Sequence, residues 1–230
     1  MGEAENIAAR YRRRAGLPPG RYTFFEPGNL FLIHQRERLL LRLLAGDGLD
    51  DLGGARILEV GCGDGWWLRK FAEWGARPEN LLGVELLPDR VERARSLNPG
   101  IKVDLGDASR LGQLDGSFDI VLQSTVFSSI LDAAMRREVA GEMLRVLRPG
   151  GAIIWYDLRM DNPGNPDVGG VGRREIESLF PGCGCRFHRT TLAPPLARRL
   201  APVSWALCHL LSKLPMLLTH YLVIISKPVR

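Results

Sequence analysis

Nine residues, Ile57-Leu58-Glu59-Val60-Gly61-Cys62-Gly63-Asp64-Gly65, constrain this chain most. An apolar run that includes one carboxylate breaks into three alternating glycines, and Trp66 then opens a new segment. This pattern predicts a strand, a tight loop and a helix. Glycine tolerates positive φ and carries no Cβ, so a ligand can lie against bare backbone at the head of that helix.

Similar units repeat downstream. Asn80-Leu81-Leu82-Gly83-Val84 ends in Glu85, some twenty residues beyond Gly65. In open α/β sheets, an acidic residue at that distance and at the carboxyl end of a strand hydrogen-bonds a ribose diol. Strands are predicted near 56–60, 81–85, 102–105, 119–123 and 152–157, with helices over 67–74, 88–96 and 133–147. Such alternation implies a mostly parallel sheet with helices on both faces. Residues 186–192 and 221–226 are the candidates for the last two strands.

With these segments in order, the chain resembles the class I S-adenosylmethionine (SAM)-dependent methyltransferases. Glu59 to Gly65 match the family's motif I, E/D-x-G-x-G-x-G, and Leu105-Gly106-Asp107-Ala108 matches a G-D-A/G segment. Phe118 to Phe127 resembles motif IV, and Leu147-Arg148-Pro149-Gly150-Gly151 an L-x-P-G-G closure between helix and strand. The rival dinucleotide fingerprint, G-x-G-x-x-G, needs a third glycine where this chain has Trp66.

The resemblance implies a Rossmann-like, seven-stranded, mostly parallel sheet with one antiparallel strand, and SAM as cofactor, released as S-adenosylhomocysteine. It implies cofactor contacts at Glu59, Gly61, Cys62, Gly63, Gly65, Trp66, Glu85, Leu86, Asp107, Ala108, Gln123 and Ser124. In this reading Glu85 carries the ribose and Asp107 meets the adenine. Motif IV departs from the D/N-P-P-Y/F of enzymes acting on base amino groups, because Gln123-Ser124-Thr125-Val126 stands there. The expected acceptor is therefore a small molecule methylated at oxygen. The alternatives are a SAM-binding regulatory or partner subunit without catalysis and, with less support, an RNA methyltransferase.

Chain length and composition agree with one enzyme domain, since 230 residues with 45% hydrophobic content can bury an α/β core without disulfides. The segments expected are a cap over residues 1–50, a cofactor-binding core over 51–160 and a substrate-side part over 161–230. Cys62, Cys183, Cys185 and Cys208 form no pair of CxxC units, so no metal is expected. The residues up to Ala15 are polar and Arg-rich without an apolar stretch, which reads as cytoplasmic rather than secreted. A net charge of +5 permits anionic partners. The basic residues nevertheless fall in short groups (Arg10 with Arg12 to Arg14, Arg136-Arg137, Arg173-Arg174, Arg198-Arg199) without interleaved aromatics, which reads as solvated faces and no nucleic acid.

Substrate-side features are expected outside the core. After a Pro18-Pro19-Gly20 break, 29–44 is predicted as a helix that caps the cleft, with Phe25 as a wall and His34, Gln35 and Arg36 within reach of it. His34 and Asp157 are the candidate general bases, and Tyr156, Arg159, Asn162 and Trp205 the candidate acceptor contacts. The segment 193–219 reads as a helical insertion before the last strand. His209, Lys213, Pro215 and His220 interrupt its apolar run, which argues against a transmembrane span and leaves peripheral membrane contact open.

Overall fold

The computed structural model describes residues 2–14 and 23–229; the Pro18-Pro19-Gly20 break lies outside them. Among these residues seven strands form one sheet: β1 (Ile57–Val60), β2 (Leu81–Glu85), β3 (Lys102–Leu105), β4 (Phe118–Ser124), β5 (Leu147–Leu158), β6 (Gly184–Leu192) and β7 (Leu218–Ser226). Their spatial order is β3-β2-β1-β4-β5-β7-β6. β1 to β5 pair in parallel, and β7 runs antiparallel between β5 and β6. Sequence order reverses direction in space between β1 and β4, which is where open α/β sheets leave a crevice.

Among the described residues eight α-helices surround the sheet: α1 (Glu3–Arg14), α2 (Pro27–Gly46), α3 (Trp66–Glu73), α4 (Pro88–Leu97), α5 (Ala133–Val146), α6 (Arg173–Leu179), α7 (Pro194–Leu200) and α8 (Trp205–Leu211). Alternate strand residues feed two cores. Leu58, Val121, Ile153 and Trp155 pack with Met143 of α5 and Ile176 of α6, while Ile57, Ile120, Leu122 and Ile154 pack with Leu68 of α3 and Leu40 of α2. A third, smaller cluster joins Phe31 of α2 to Leu192, Ala197 and Cys208.

Local signals explain the helix starts. The Glu26 carboxylate accepts the N–H groups of Gly28 and Asn29 at 3.0 and 2.7 Å ahead of Pro27, Asp132 accepts from Met135 N at 2.7 Å, and Ser204 accepts from Leu207 N at 3.2 Å. The end of α5 differs from the sequence expectation. Pro149-Gly150-Gly151 does not close the helix; α5 stops at Val146, and fully buried Leu147 already pairs with Phe118. The Pro-Gly-Gly stretch becomes an irregular start to β5, and Gly150 donates its N–H to the Lys227 carbonyl at 3.1 Å. Lys227 Nζ in turn donates to the Leu144 and Leu147 carbonyls at 2.7 and 2.6 Å, satisfying groups that the helix end leaves open.

Candidate active site

A cleft of about 600 Å³ opens beyond the carboxyl ends of β1, β2, β3 and β4. The glycine loop forms its floor. Gly61 has φ +62°, and a Cβ there would meet Val126 Cγ2 at 2.5 Å, so this glycine lets the motif IV loop approach. Gly63 has φ +57° and nothing within 4 Å of an added Cβ, so it supplies the bare backbone that faces the cleft.

One carboxylate holds this loop. Glu85 accepts the Gly63 N–H at 2.8 Å with one oxygen and the Leu87 N–H at 3.0 Å with the other. From outside, Arg69 and Asn98 donate to the Asp64 carbonyl at 2.8 and 3.2 Å. Gly65 does not line the cleft; with φ +75° it starts α3, and an added Cβ would strike Asn98 Nδ2 at 2.7 Å.

Glu59 and Arg36 give the cleft its charge pattern. Glu59 is 2% exposed, and one of its oxygens has no hydrogen-bond partner. Burial holds its carboxyl well above the usual range, Glu85 adds to that rise, and the Arg36 guanidinium opposes it. Arg36, from α2, lies 4.9, 4.6 and 4.9 Å from the ring centres of Trp66, Trp67 and Tyr156, and its Nε also lacks a partner. This is a caged cation, held by ring faces rather than by hydrogen bonds at Nε. His220 stacks on the far side of the cage at 4.9 Å from Tyr156, and burial, then Arg36, lowers its pKa to about 3, so it stays neutral.

The other walls come from three places. Leu86, Gly106, Asp107 and Ala108 line the cleft, and Asp107 closes its own turn by accepting the Ser109 N–H at 2.8 Å. Ser124, Thr125 and Val126 line it from the end of β4, with Thr125 held at φ +59°, a strained conformation for a β-branched residue. Ile7 and Tyr11 of α1 complete it, with the Tyr11 hydroxyl 3.0 Å from Ser129 Oγ and the Arg90 guanidinium 4.1 Å from its ring centre. The sequence reading missed α1 and α6. The fourfold spacing of Ile7 and Tyr11 was the available signal for α1.

Of the expected cofactor contacts, Glu59, Gly61, Cys62, Gly63, Trp66, Glu85, Leu86, Asp107, Ala108 and Ser124 line the cleft. Gln123 does not. It is fully buried, accepts the Val126 N–H at 3.1 Å and donates to the Tyr156 carbonyl at 3.5 Å, which makes it a brace for the motif IV loop.

The expected bases and acceptor contacts need more correction. Asp157 is 0% exposed; its oxygens accept the Ser128 and Leu158 N–H groups at 3.1 and 2.8 Å, and burial pushes its carboxyl up to about 6. His34 is exposed, with its ring 5.7 Å from Trp205, and does not line the cleft. Phe25 is 96% exposed, Arg159 donates to the Leu218 carbonyl at 2.6 Å, and Asn162 closes a turn by accepting the Gly164 N–H at 3.1 Å. Trp205 packs edge-on against Phe31 at 5.5 Å, within the third cluster. Tyr156 reaches the cleft only through Arg36, and its hydroxyl is shared with Thr191 Oγ1 at 2.8 Å. Two arginines expected on solvated faces are buried: Arg10 donates to the Ser129 carbonyl at 2.9 Å and Arg136 to the Ile130 carbonyl at 2.7 Å.

Among the described residues no group of three or more His, Cys, Asp or Glu could hold a metal ion, and no helix is long and apolar enough to cross a membrane.

Comparison with known proteins agrees with this architecture. A family model described as a methyltransferase domain matches residues 57–151. The chain is 37% identical over 115 residues to a 2-methyl-6-phytyl-1,4-hydroquinone methyltransferase of Synechocystis, covering 48% of this chain and 34% of that protein. It is 38% identical over 114 residues to a phthiotriol/phenolphthiotriol dimycocerosates methyltransferase of Mycobacterium tuberculosis, covering 49% and 41%. The chain thus spans less than half the length of these relatives. The crystal structure of an S-adenosylmethionine-dependent methyltransferase from Mesorhizobium loti superposes with a TM-score of 0.59 at 22% identity, over 85% of this chain and all of that one. With motif I on the glycine loop and the acidic strand end of β2 beside it, residues 57–151 match the methyltransferase domain, and the chain is similar in fold to S-adenosylmethionine-dependent methyltransferases.

Proposed function

We propose that this protein transfers the methyl group of SAM to a small molecule with a lipophilic part, at an acidic hydroxyl such as a phenol or enol. The observation that carries the reading is the pair of unpartnered polar atoms in the cleft, on Glu59 and on Arg36. A zwitterionic methionine moiety fits that pair, its ammonium meeting the carboxylate and its carboxylate meeting the guanidinium. Glu85 keeps free lone pairs after accepting two backbone N–H groups, enough for a ribose diol. In this reading Asp107 and the backbone after it, which line the same cleft, meet the adenine edge.

The bound cofactor supplies an electrophilic methyl on a sulfonium. The chain's own part is to hold the acceptor in line and exclude water, an effect worth up to roughly 7–11 kcal/mol in favourable cases. No histidine lines the cleft among the described residues, which favours an acceptor that loses its proton without a strong base. In this reading the cap (1–50) closes the cleft, the core (51–160) binds cofactor, and residues 161–230 shape the acceptor side. Both named relatives act on long-chain lipophilic substrates by their names, which supports a lipophilic acceptor.

The test is calorimetry with SAM, S-adenosylhomocysteine and NAD, followed by incubation with methyl-labelled SAM and fractionated extract. Tight binding of the first two and label in a lipid-soluble small molecule support the proposal. Label in RNA would overturn the acceptor class, and SAM binding without any transfer would make the protein a SAM-binding subunit.

A further inference from the structure

Helix α8 is apolar on both faces. Trp205 and Cys208 pack on the third cluster, yet Leu207 and Leu210 of the same helix are exposed, as are Val203 just before it and Leu214 and Met216 just after it, the last 80% exposed. A helix apolar all round calls for cover on its outer side. Phe24 and Phe25 are exposed immediately before α2, whose Gly28 abuts the backbone of Ala197 and Arg198 so closely that a Cβ would meet Arg198 Cα at 2.6 Å. The apolar face therefore continues from α8 towards the start of α2.

The charge of this region is one-sided. From Ser178 to Arg230 the chain has no aspartate or glutamate and seven arginines and lysines. Arg199, His209 and Lys213 are exposed on or beside α7 and α8. The segment also joins the end of β6 to the start of β7, and β7 is antiparallel to β5, so it lies at the carboxyl end of the sheet, the end at which the cleft opens.

We propose that this face docks on the surface of an anionic lipid bilayer. Acyl chains take up aliphatic side chains without asking for hydrogen bonds, and headgroup phosphates ask for cations; α7 and α8 supply both and carry no carboxylate of their own, the one beside them being Glu26, which lies 3.9 Å from Arg198 and caps α2. A protein partner would instead be met by an aromatic-rich centre and a rim that exchanges hydrogen bonds, whereas the exposed large apolar residues of α8 are leucines, Leu207 and Leu210. Apolar insertion and basic residues together give the two signals that reversible surface binding needs. The assignment is independent of the methyl acceptor, because lipid partition and SAM binding are read separately.

The experiment is co-sedimentation of the full chain with phosphatidylcholine vesicles, alone and with about 30% phosphatidylglycerol. Wild type is expected to pellet with the anionic vesicles, and less with neutral vesicles or at high salt. The double variant Leu207→Glu/Leu210→Glu should lose at least about tenfold in partition while SAM affinity and melting temperature stay at wild-type values. Leu114→Glu, at an 81% exposed leucine away from this face, should behave as wild type. Wild type remaining in the supernatant, or the double variant pelleting equally, overturns the assignment. So does a lipid-free dimer, seen by sedimentation velocity, that the double variant abolishes, since the face would then belong to a second copy of the chain.

Discussion

Around Gly61 to Gly65, side chains meet the backbone atom by atom: Glu85 takes two N–H groups, and Arg69 and Asn98 share the Asp64 carbonyl. At the same end of the sheet, α8 turns Leu207 and Leu210 to solvent with no acidic residue in its whole neighbourhood of sequence. The first region fixes directions and charges, so it suits one ligand held in one pose. The second offers area and sign without direction, so it suits a class of partners. Chemistry that must not vary sits on the hydrogen-bonded loop, and tolerance sits on the apolar face.

The largest effect that would break this contrast is expected at Glu85. Glu85→Ala strips two backbone N–H groups of their acceptor, which should cost about 4 kcal/mol of cofactor-free stability in urea unfolding and weaken SAM at least about a hundredfold in calorimetry. Unchanged stability would mean that the loop does not need its carboxylate.

Asp157 gives a pH signature away from the cleft. Its folded-state pKa is raised from 3.8 to about 6, so its contribution to stability is full below about pH 4 and is lost as pH rises through 6, a swing of up to ~3 kcal/mol. Asp157→Asn cannot titrate. Its stability deficit against wild type should therefore shrink between pH 4 and 7, and a constant deficit would remove the assigned proton.

Trp205→Ala opens the third cluster from the inside and should lower stability by about 2–3 kcal/mol with SAM affinity intact, as thermal unfolding and calorimetry would show. Arg36→Gln should lose about 2 kcal/mol of SAM affinity, some thirtyfold, yet leave adenosine binding alone. Equal losses for both ligands would place Arg36 away from the methionine end. The smallest effect belongs to the outer stripe: Leu210→Glu should change stability by no more than about 0.5 kcal/mol, because its side chain leaves no core partner behind.

The sheet was readable because each buried strand announces itself as a short apolar run between turn signals, and β2 and β3 fall on the predicted residues. Glu85 was readable as an acid at a strand end, though its double grip on the loop was not. Which way a side chain points depends on packing that no local pattern encodes. Asp157 follows Tyr156 on β5 and faces the core opposite to it, so a base expected at a strand end turned out to serve Ser128 and Leu158. His34 and Arg36 are two residues apart on α2, and the helical turn sends one to Trp205 and the other to the cleft. Helix α1 hid behind a charged composition whose arginines include a buried one, Arg10.

The placing of β7 bears on how the chain reaches this fold. β7 is the last strand in sequence, yet it separates β5 from β6, and Asp157 pairs with Tyr221 across it. β6 therefore has no place in the sheet until β7 arrives, and during synthesis β5 waits with an open edge while β6 and the apolar α8 are already out of the ribosome. Long-range pairings of this kind form slowly, and open edges recruit other chains. Yield on expression should thus be limited by this late closure, and slower synthesis across residues 193–217 would prolong the exposure rather than relieve it.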